Sequence, residues 1–258
     1  MSITDGGVNV VSVGLREGVI ACLFDLDGVV TQTAAVHAAA WKDTFDAFLL
    51  ERSRRTNTRF VPFDMHADYD RYVDGELRED GIRSFLASRA ITLPEGDMGD
   101  AASAETVSGL GKRKNELFLW RLREHGVQVY PGSVEYLHAI GRMGLQSAVV
   151  SSSTNCRMVL EAAGIEDLFQ VRVDGATARH EHLAGKPAPD AYLFAARALG
   201  VAPARCAVFE DAIAGVEAGR SGGFGQVVGV DRAGRSDELG AHGATIVVSD
   251  LAALLVHQ

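Results

Sequence analysis

Short apolar runs bounded by turn residues recur along the chain at residues 19–24, 145–150, 170–173, 206–209, 226–230 and 245–248. Runs of this length and uniformity read as strands buried on both faces of a parallel sheet. Helix-like stretches lie between most of them, at residues 133–143, 156–163, 189–199 and 213–220. Strand alternating with helix predicts an α/β fold with a doubly wound parallel sheet, in which ligands bind outside the carboxyl ends of the strands.

The alternation breaks between residues 33 and 125, where the pattern is helical and no buried strand is legible. This predicts a helical cap (33–125) inserted into a core domain made of residues 1–32 and 126–258. The first cap helix is expected to run through Ala34, Ala35, Ala38, Ala39, Trp41, Phe45 and Phe48, and a later one through Glu116 to Arg123. The basic, polar stretch from Arg52 to Arg59 reads as a solvated loop interrupting the cap, with a phosphate or partner site as the alternative.

With 47% hydrophobic and 23% charged residues, the 258-residue chain has the balance of a globular enzyme and can bury a substantial core. A net charge of −9 disfavours nucleic acid as a partner. Cys22, Cys156 and Cys206 lack disulfide or zinc spacing, and Cys22 and Cys206 sit in apolar runs, so a reducing compartment is expected. No basic leader and no apolar stretch of membrane-spanning length is present, so the expectation is a cytoplasmic protein with no membrane partner.

Chemistry gathers where the apolar runs end. Phe24-Asp25-Leu26-Asp27-Gly28 follows the first run. One carboxylate there can attack phosphorus, and a second can shuttle the proton of the oxygen that leaves or attacks; taken alone, the pair reads first as a polar strand-to-loop turn with a helix cap, and the catalytic reading is the alternative. Ser151-Ser152-Ser153-Thr154-Asn155 follows the second run, as a phosphate-binding loop or as a serine-rich helix cap. Lys186, in a loop stiffened by Pro187 and Pro189, suits a phosphoryl charge, or is a surface lysine before a helix. Glu210-Asp211 ends the fourth run as a carboxylate pair for a hard cation, or as a helix N-terminal acidic pair.

With all four in this order, the sequence resembles the haloacid dehalogenase superfamily of phosphotransferases over almost the whole core. The segment Asp25 to Thr31, with Thr33-Ala34, His37, Trp41-Lys42, Gly75 to Asp80, Lys112-Arg113-Lys114-Asn115 and Val129-Tyr130-Pro131-Gly132, is similar to the β-phosphoglucomutase-like subfamily. The resemblance implies Asp25 as nucleophile, Asp27 as general acid/base, and Ser151 and Lys186 as holders of the transferring phosphoryl group. It implies Mg²⁺ bound by Asp25, Asp211 and the Asp27 carbonyl, with Glu210 in the metal-site pair. From the cap, His37 would assist Asp27 and Lys114 would reach the site. Arg78 with Ser153 and Asn155 would hold a second, non-reacting phosphate, with Ser152 and Thr33 among the substrate contacts. Gln32 stands where relatives commonly carry an acid at the cap hinge, and Thr154 where the mutase has a lysine.

The implied function is Mg²⁺-dependent phosphoryl transfer through an aspartyl phosphate, converting β-D-glucose 1-phosphate to glucose 6-phosphate with glucose 1,6-bisphosphate as intermediate and activator. The alternative is a hydrolase, a phosphatase of sugar phosphates or other small phosphomonoesters; a catalytically silent binding protein on the same fold is the third reading. The partner is a small phosphorylated sugar, and the chain is expected as a monomer or weak dimer. His180 and His182 around Glu181 read as part of a mobile loop beside Lys186 in preference to a metal site. The glycines 219, 222, 223 and 225 precede a strand, the wrong order for a dinucleotide loop.

Overall fold

A computed structural model describes residues 11–257; residues 1–10 and 258 of the expected core segment lie outside them. The strands are β1 (Val11–Ser12), β2 (Ala21–Phe24), β3 (Gln146–Val150), β4 (Val171–Val173), β5 (Cys206–Glu210), β6 (Gln226–Val230), β7 (Ile246–Val248) and β8 (Val256–His257). The helices are α1 (Ala34–Thr56), α2 (Ala67–Tyr72), α3 (Arg78–Ser88), α4 (Val107–His125), α5 (Pro131–Arg142), α6 (Cys156–Ala163), α7 (Gly175–His180), α8 (Asp190–Ala198), α9 (Ile213–Ser221) and α10 (Ser236–His242). The chain divides into two compact units, one taking the chain up to Gln32 and from Gln128 onward, the other Thr33–Val127.

In the first unit the predicted runs form one parallel sheet in the order β4-β3-β2-β5-β6-β7. β2 is central, pairing Phe24 with Val149 on one side and with Phe209 on the other. The order reverses at β2: β3 and β4 build outward on one side, and β5 returns to the other. A switch point of this kind opens a crevice at the carboxyl ends of the strands. Every residue of β2 and β5 is buried, as strands covered on both faces require. Beneath the carboxyl ends Phe24 stacks on Phe209 with ring centroids 4.4 Å apart. β1 and β8 form a separate antiparallel pair, too short to be legible in the sequence. The three cysteines are buried free thiols, and burial pushes Cys206 up to about 11, the state of an inert core residue.

The second unit holds α1 to α4 and no strand among the described residues. Its core is aromatic: Phe45 lies 5.0 Å from Trp41, 4.2 Å from Phe85 and 5.2 Å from Phe63, centroid to centroid. One expectation is corrected here. Arg52 to Thr56 do not form a loop but the last turns of α1, which ends where Asn57 turns left-handed at φ 52°. Ser53 remains buried while Arg54 and Arg55 are exposed, and Arg55 pairs with Glu105 at 2.5 Å, so the polar run is the wet face of a helix. No helix among the described residues is long and apolar enough to cross a membrane.

Candidate active site

Three strand ends of the first unit, β2, β3 and β5, and the loop before α8 supply the site. Asp25 follows β2 directly and is fixed by its N–H donating to the Phe209 carbonyl at 2.9 Å. Gly28 then turns the chain at φ +92°, where an L-residue is strained, and a Cβ there would also collide with the Asp211 carboxylate. Glycine is therefore demanded twice, by backbone and by neighbour.

Lys186 organises the charges. Its ammonium lies 2.5 Å from Asp25 Oδ1 and 2.6 Å from Glu210 Oε1, with the side chain 1% exposed. That burial excludes the surface-lysine reading. Burial alone would lower the Lys186 pKa, but the Asp25 and Glu210 carboxylates outweigh it and raise it, so the group is an ammonium. Burial, opposed by Lys186 and reinforced by Glu210 and Asp27, raises the Asp25 pKa. A further cation among these oxygens would favour the ionised, nucleophilic form.

Glu210 is the last residue of β5, and its carboxylate sits against Gly215 in the first turn of α9, where a Cβ would collide with it. The Glu210 Oε1 accepts from both Lys186 and the Tyr192 hydroxyl, the latter at 2.6 Å, and Oε2 accepts from the Ala212 N–H at 3.4 Å. Asp25, Glu210 and Asp211 are all buried and each brings an oxygen within 4.8 Å of the others, the one such acidic group among the described residues. Buried, convergent, oxygen-only donors suit a hard divalent cation such as Mg²⁺, which takes few protein oxygens and keeps several waters.

The serine loop closes the arrangement. Ser151 N–H donates to the Val173 carbonyl at 2.9 Å, and Ser151 Oγ lies 3.4 Å from Asp27 Oδ2 while accepting the Ser153 N–H at 3.1 Å. Ser153 Oγ accepts the Asn155 N–H at 3.2 Å, and Ser152, Ser153 and Asn155 are half-buried. The core unit thus brings Asp25, Asp27, Ser151, Lys186, Glu210 and Asp211 together. In the second unit His37 Nδ1 and Lys114 Nζ are 2.6 Å apart, with Lys114 buried over the rings of Trp41 and Phe118. Thr33 is buried at the start of α1. Arg78 opens α3 with its side chain 17% exposed and donates to the Gly111 carbonyl at 3.3 Å, so it is not a freely solvated helix residue. His180 ends α7 instead of lying in a loop, and it pairs with Glu181 at 2.9 Å.

Tyr192 was not legible in the sequence, where it reads as one more apolar position of α8. It is fully buried, its ring lies 5.3 Å beneath the Lys186 ammonium, and burial beside Glu210 raises its pKa, which keeps the phenol a donor. Tyr192→Phe keeps the ring and removes one donor to Glu210. Hydrogen bonds to charged groups contribute about 1.5–3 kcal/mol, so urea denaturation is expected to show a loss in that range. A loss below about 0.5 kcal/mol would remove Tyr192 from the network.

A family model described as haloacid dehalogenase-like hydrolase matches residues 20–223. The β-phosphoglucomutase of Mycobacterium bovis is 58% identical over 245 residues, covering 94% of each chain. That of Bacillus subtilis is 32% identical over 246 residues, covering 92% of this chain and 94% of its own. The crystal structure of β-phosphoglucomutase from Clostridium difficile superposes with a TM-score of 0.71 at 25% identity, over 92% of this chain and 93% of that one. The strand-end carboxylates, the serine loop and the buried lysine therefore sit on the fold that their order in the sequence resembles, and the chain belongs to the haloacid dehalogenase-like hydrolase family.

Proposed function

We propose that the chain is a Mg²⁺-dependent β-phosphoglucomutase, acting on a small phosphorylated sugar in the cytoplasm as a monomer or weak dimer. The observation that carries the chemistry is Lys186 buried between Asp25 and Glu210; the sugar is taken from the relatives named above. Asp25 attacks the phosphorus of glucose 1,6-bisphosphate. The bond from phosphorus to the sugar oxygen breaks, Asp27 gives that oxygen a proton, and glucose 6-phosphate leaves. In the return half, Asp27 takes the proton of the 6-hydroxyl of β-glucose 1-phosphate as that oxygen attacks the aspartyl phosphate, and the bisphosphate is remade.

Lys186 and the Ser151 hydroxyl hold the oxygens of the moving phosphoryl group, and Glu210 with Tyr192 holds Lys186. Asp25, Asp211 and the Asp27 carbonyl would hold Mg²⁺, which would supply charge neutralisation for those oxygens. From the resemblance, His37 and Lys114 act on the sugar, Thr33 and Ser152 contact the substrate, and Arg78 with Ser153 and Asn155 holds the non-reacting phosphate.

The test follows glucose 6-phosphate and free phosphate together, with Mg²⁺, β-glucose 1-phosphate and a catalytic amount of glucose 1,6-bisphosphate. Glucose 6-phosphate is expected without matching phosphate release. Stoichiometric phosphate release would make the enzyme a phosphatase.

A further inference from the structure

The loop carrying Asp27 is closed on itself. Gly28 N–H donates to the Thr31 carbonyl at 2.8 Å, and the N–H groups of Val30 and Thr31 donate to the Leu26 carbonyl at 3.0 and 2.9 Å. These bonds leave the Gly28 and Val29 carbonyls to be satisfied from outside the loop. The Val29 carbonyl accepts the Ser133 hydroxyl at 2.6 Å, and one further side chain reaches both carbonyls. Arg232, two residues beyond β6, donates through Nε to Gly28 at 3.0 Å and through Nη2 to Val29 at 3.4 Å. Its Nη1 donates to the Ser249 carbonyl at 2.8 Å and to Asp250 Oδ2 at 3.0 Å. The guanidinium is 3.6 Å from the centroid of the Tyr130 ring. Tyr130 lies on the segment by which the chain returns to the core unit, and its N–H donates to the Val30 carbonyl at 2.9 Å. Three segments far apart in sequence thus meet on one guanidinium: the Asp27 loop, the returning segment and the stretch after β7.

We infer that Arg232 is a positioning residue that fixes the Asp27 loop, and through it the carboxylate that exchanges protons with the substrate oxygen. The inference rests on the proposed phosphoryl-transfer reading. Lysine cannot replace this arginine, because a point charge cannot lie over the Tyr130 ring and also direct donors to the Gly28, Val29 and Ser249 carbonyls. A loop released by even 1 Å misplaces Asp27, and the penalty falls on proton transfer. Departure of a weakly acidic sugar oxygen needs that proton, whereas departure of acetate from acetyl phosphate hardly does.

The experiment compares Arg232→Ala and Arg232→Lys with wild type on two donors, the sugar phosphates and acetyl phosphate. Arg232→Ala is expected to lower sugar-phosphate turnover by about tenfold to a hundredfold, and to lower the single-turnover phosphorylation of Asp25 by acetyl phosphate, read as the first equivalent of acetate released, by less than about threefold. Arg232→Lys is expected to show the same inequality at smaller size. A purely structural role lowers both donors equally, so equal losses, or none on either, overturn the inference. If Arg232→Ala does not fold, Arg232→Lys decides it: a wild-type ratio between the donors overturns the role. If the wild type itself turns over neither donor, the reaction assignment fails separately. Hydrogen exchange of residues 26–31 then decides: faster exchange in Arg232→Lys supports the staple, and unchanged exchange rejects it.

Discussion

Asp25→Asn is expected to leave less than about a thousandth of wild-type turnover, a loss of at least about 4 kcal/mol of transition-state stabilisation. An amide oxygen cannot form the acyl phosphate through which the reaction passes. The fold should survive the change. Asp25 is buried beside Glu210 and Asp27, which push its pKa in the same direction as burial does, so the wild-type carboxylate is held against its own preference. Removing its charge leaves Lys186 still paired with Glu210 at 2.6 Å. Thermal melting without added metal should therefore be no lower than wild type. Turnover well above a thousandth, or a variant that loses its fold, would each count against Asp25 as a nucleophile held by Lys186.

Lys186→Met should be as damaging to turnover and far more damaging to stability. The methionine fills a similar volume but leaves Asp25 and Glu210 buried without the ammonium that both now contact at 2.5 and 2.6 Å. Removing one partner of a buried ion pair costs about 3–5 kcal/mol. The pH dependence has a definite sign. Burial already raises the Asp25 pKa above its unfolded value of 3.8, and loss of Lys186, which lowers it, raises it further. The folded variant then binds more protons than the unfolded chain, so stability falls as pH rises through the folded pKa and is recovered on acidification. Urea denaturation across that range checks it. A variant as stable as wild type at neutral pH would mean that the two carboxylates do not depend on this lysine.

The core was legible because its strands are continuous apolar runs, and each polar group that interrupts a run's end is there for a reason packing does not supply. Asp25, Ser151 and Glu210 stand out against Phe24, Val150 and Phe209 for that reason. The helical unit was legible from the spacing of Trp41, Phe45 and Phe48, but its boundaries within α1 were not. Beyond Leu49 the helix keeps only Ser53 buried, so Arg52 to Thr56 lose the apolar period while the backbone continues. α7 was missed because six residues present barely more than one turn of pattern, although Asp174 caps it by accepting the Ala176 and Thr177 N–H groups at 3.0 and 2.9 Å. Tyr192 and Arg232 were illegible for a different reason. Their roles depend on partners brought close only by the folded sheet, Glu210 for one and Gly28 and Tyr130 for the other, and neither residue type marks its position as unusual.

A phosphoryl group carried covalently on Asp25 can be read directly. Borohydride reduces an acyl phosphate to an alcohol and leaves a free carboxylate untouched, so a phosphorylated aspartate becomes homoserine. Wild-type protein quenched during turnover with Mg²⁺, β-glucose 1-phosphate and glucose 1,6-bisphosphate, then reduced and mapped by peptide mass spectrometry, should carry homoserine at position 25. Protein quenched without substrate should carry none. Turnover that proceeds with position 25 unmodified, or with the modification at another carboxylate such as Asp27 or Asp211, would contradict the account.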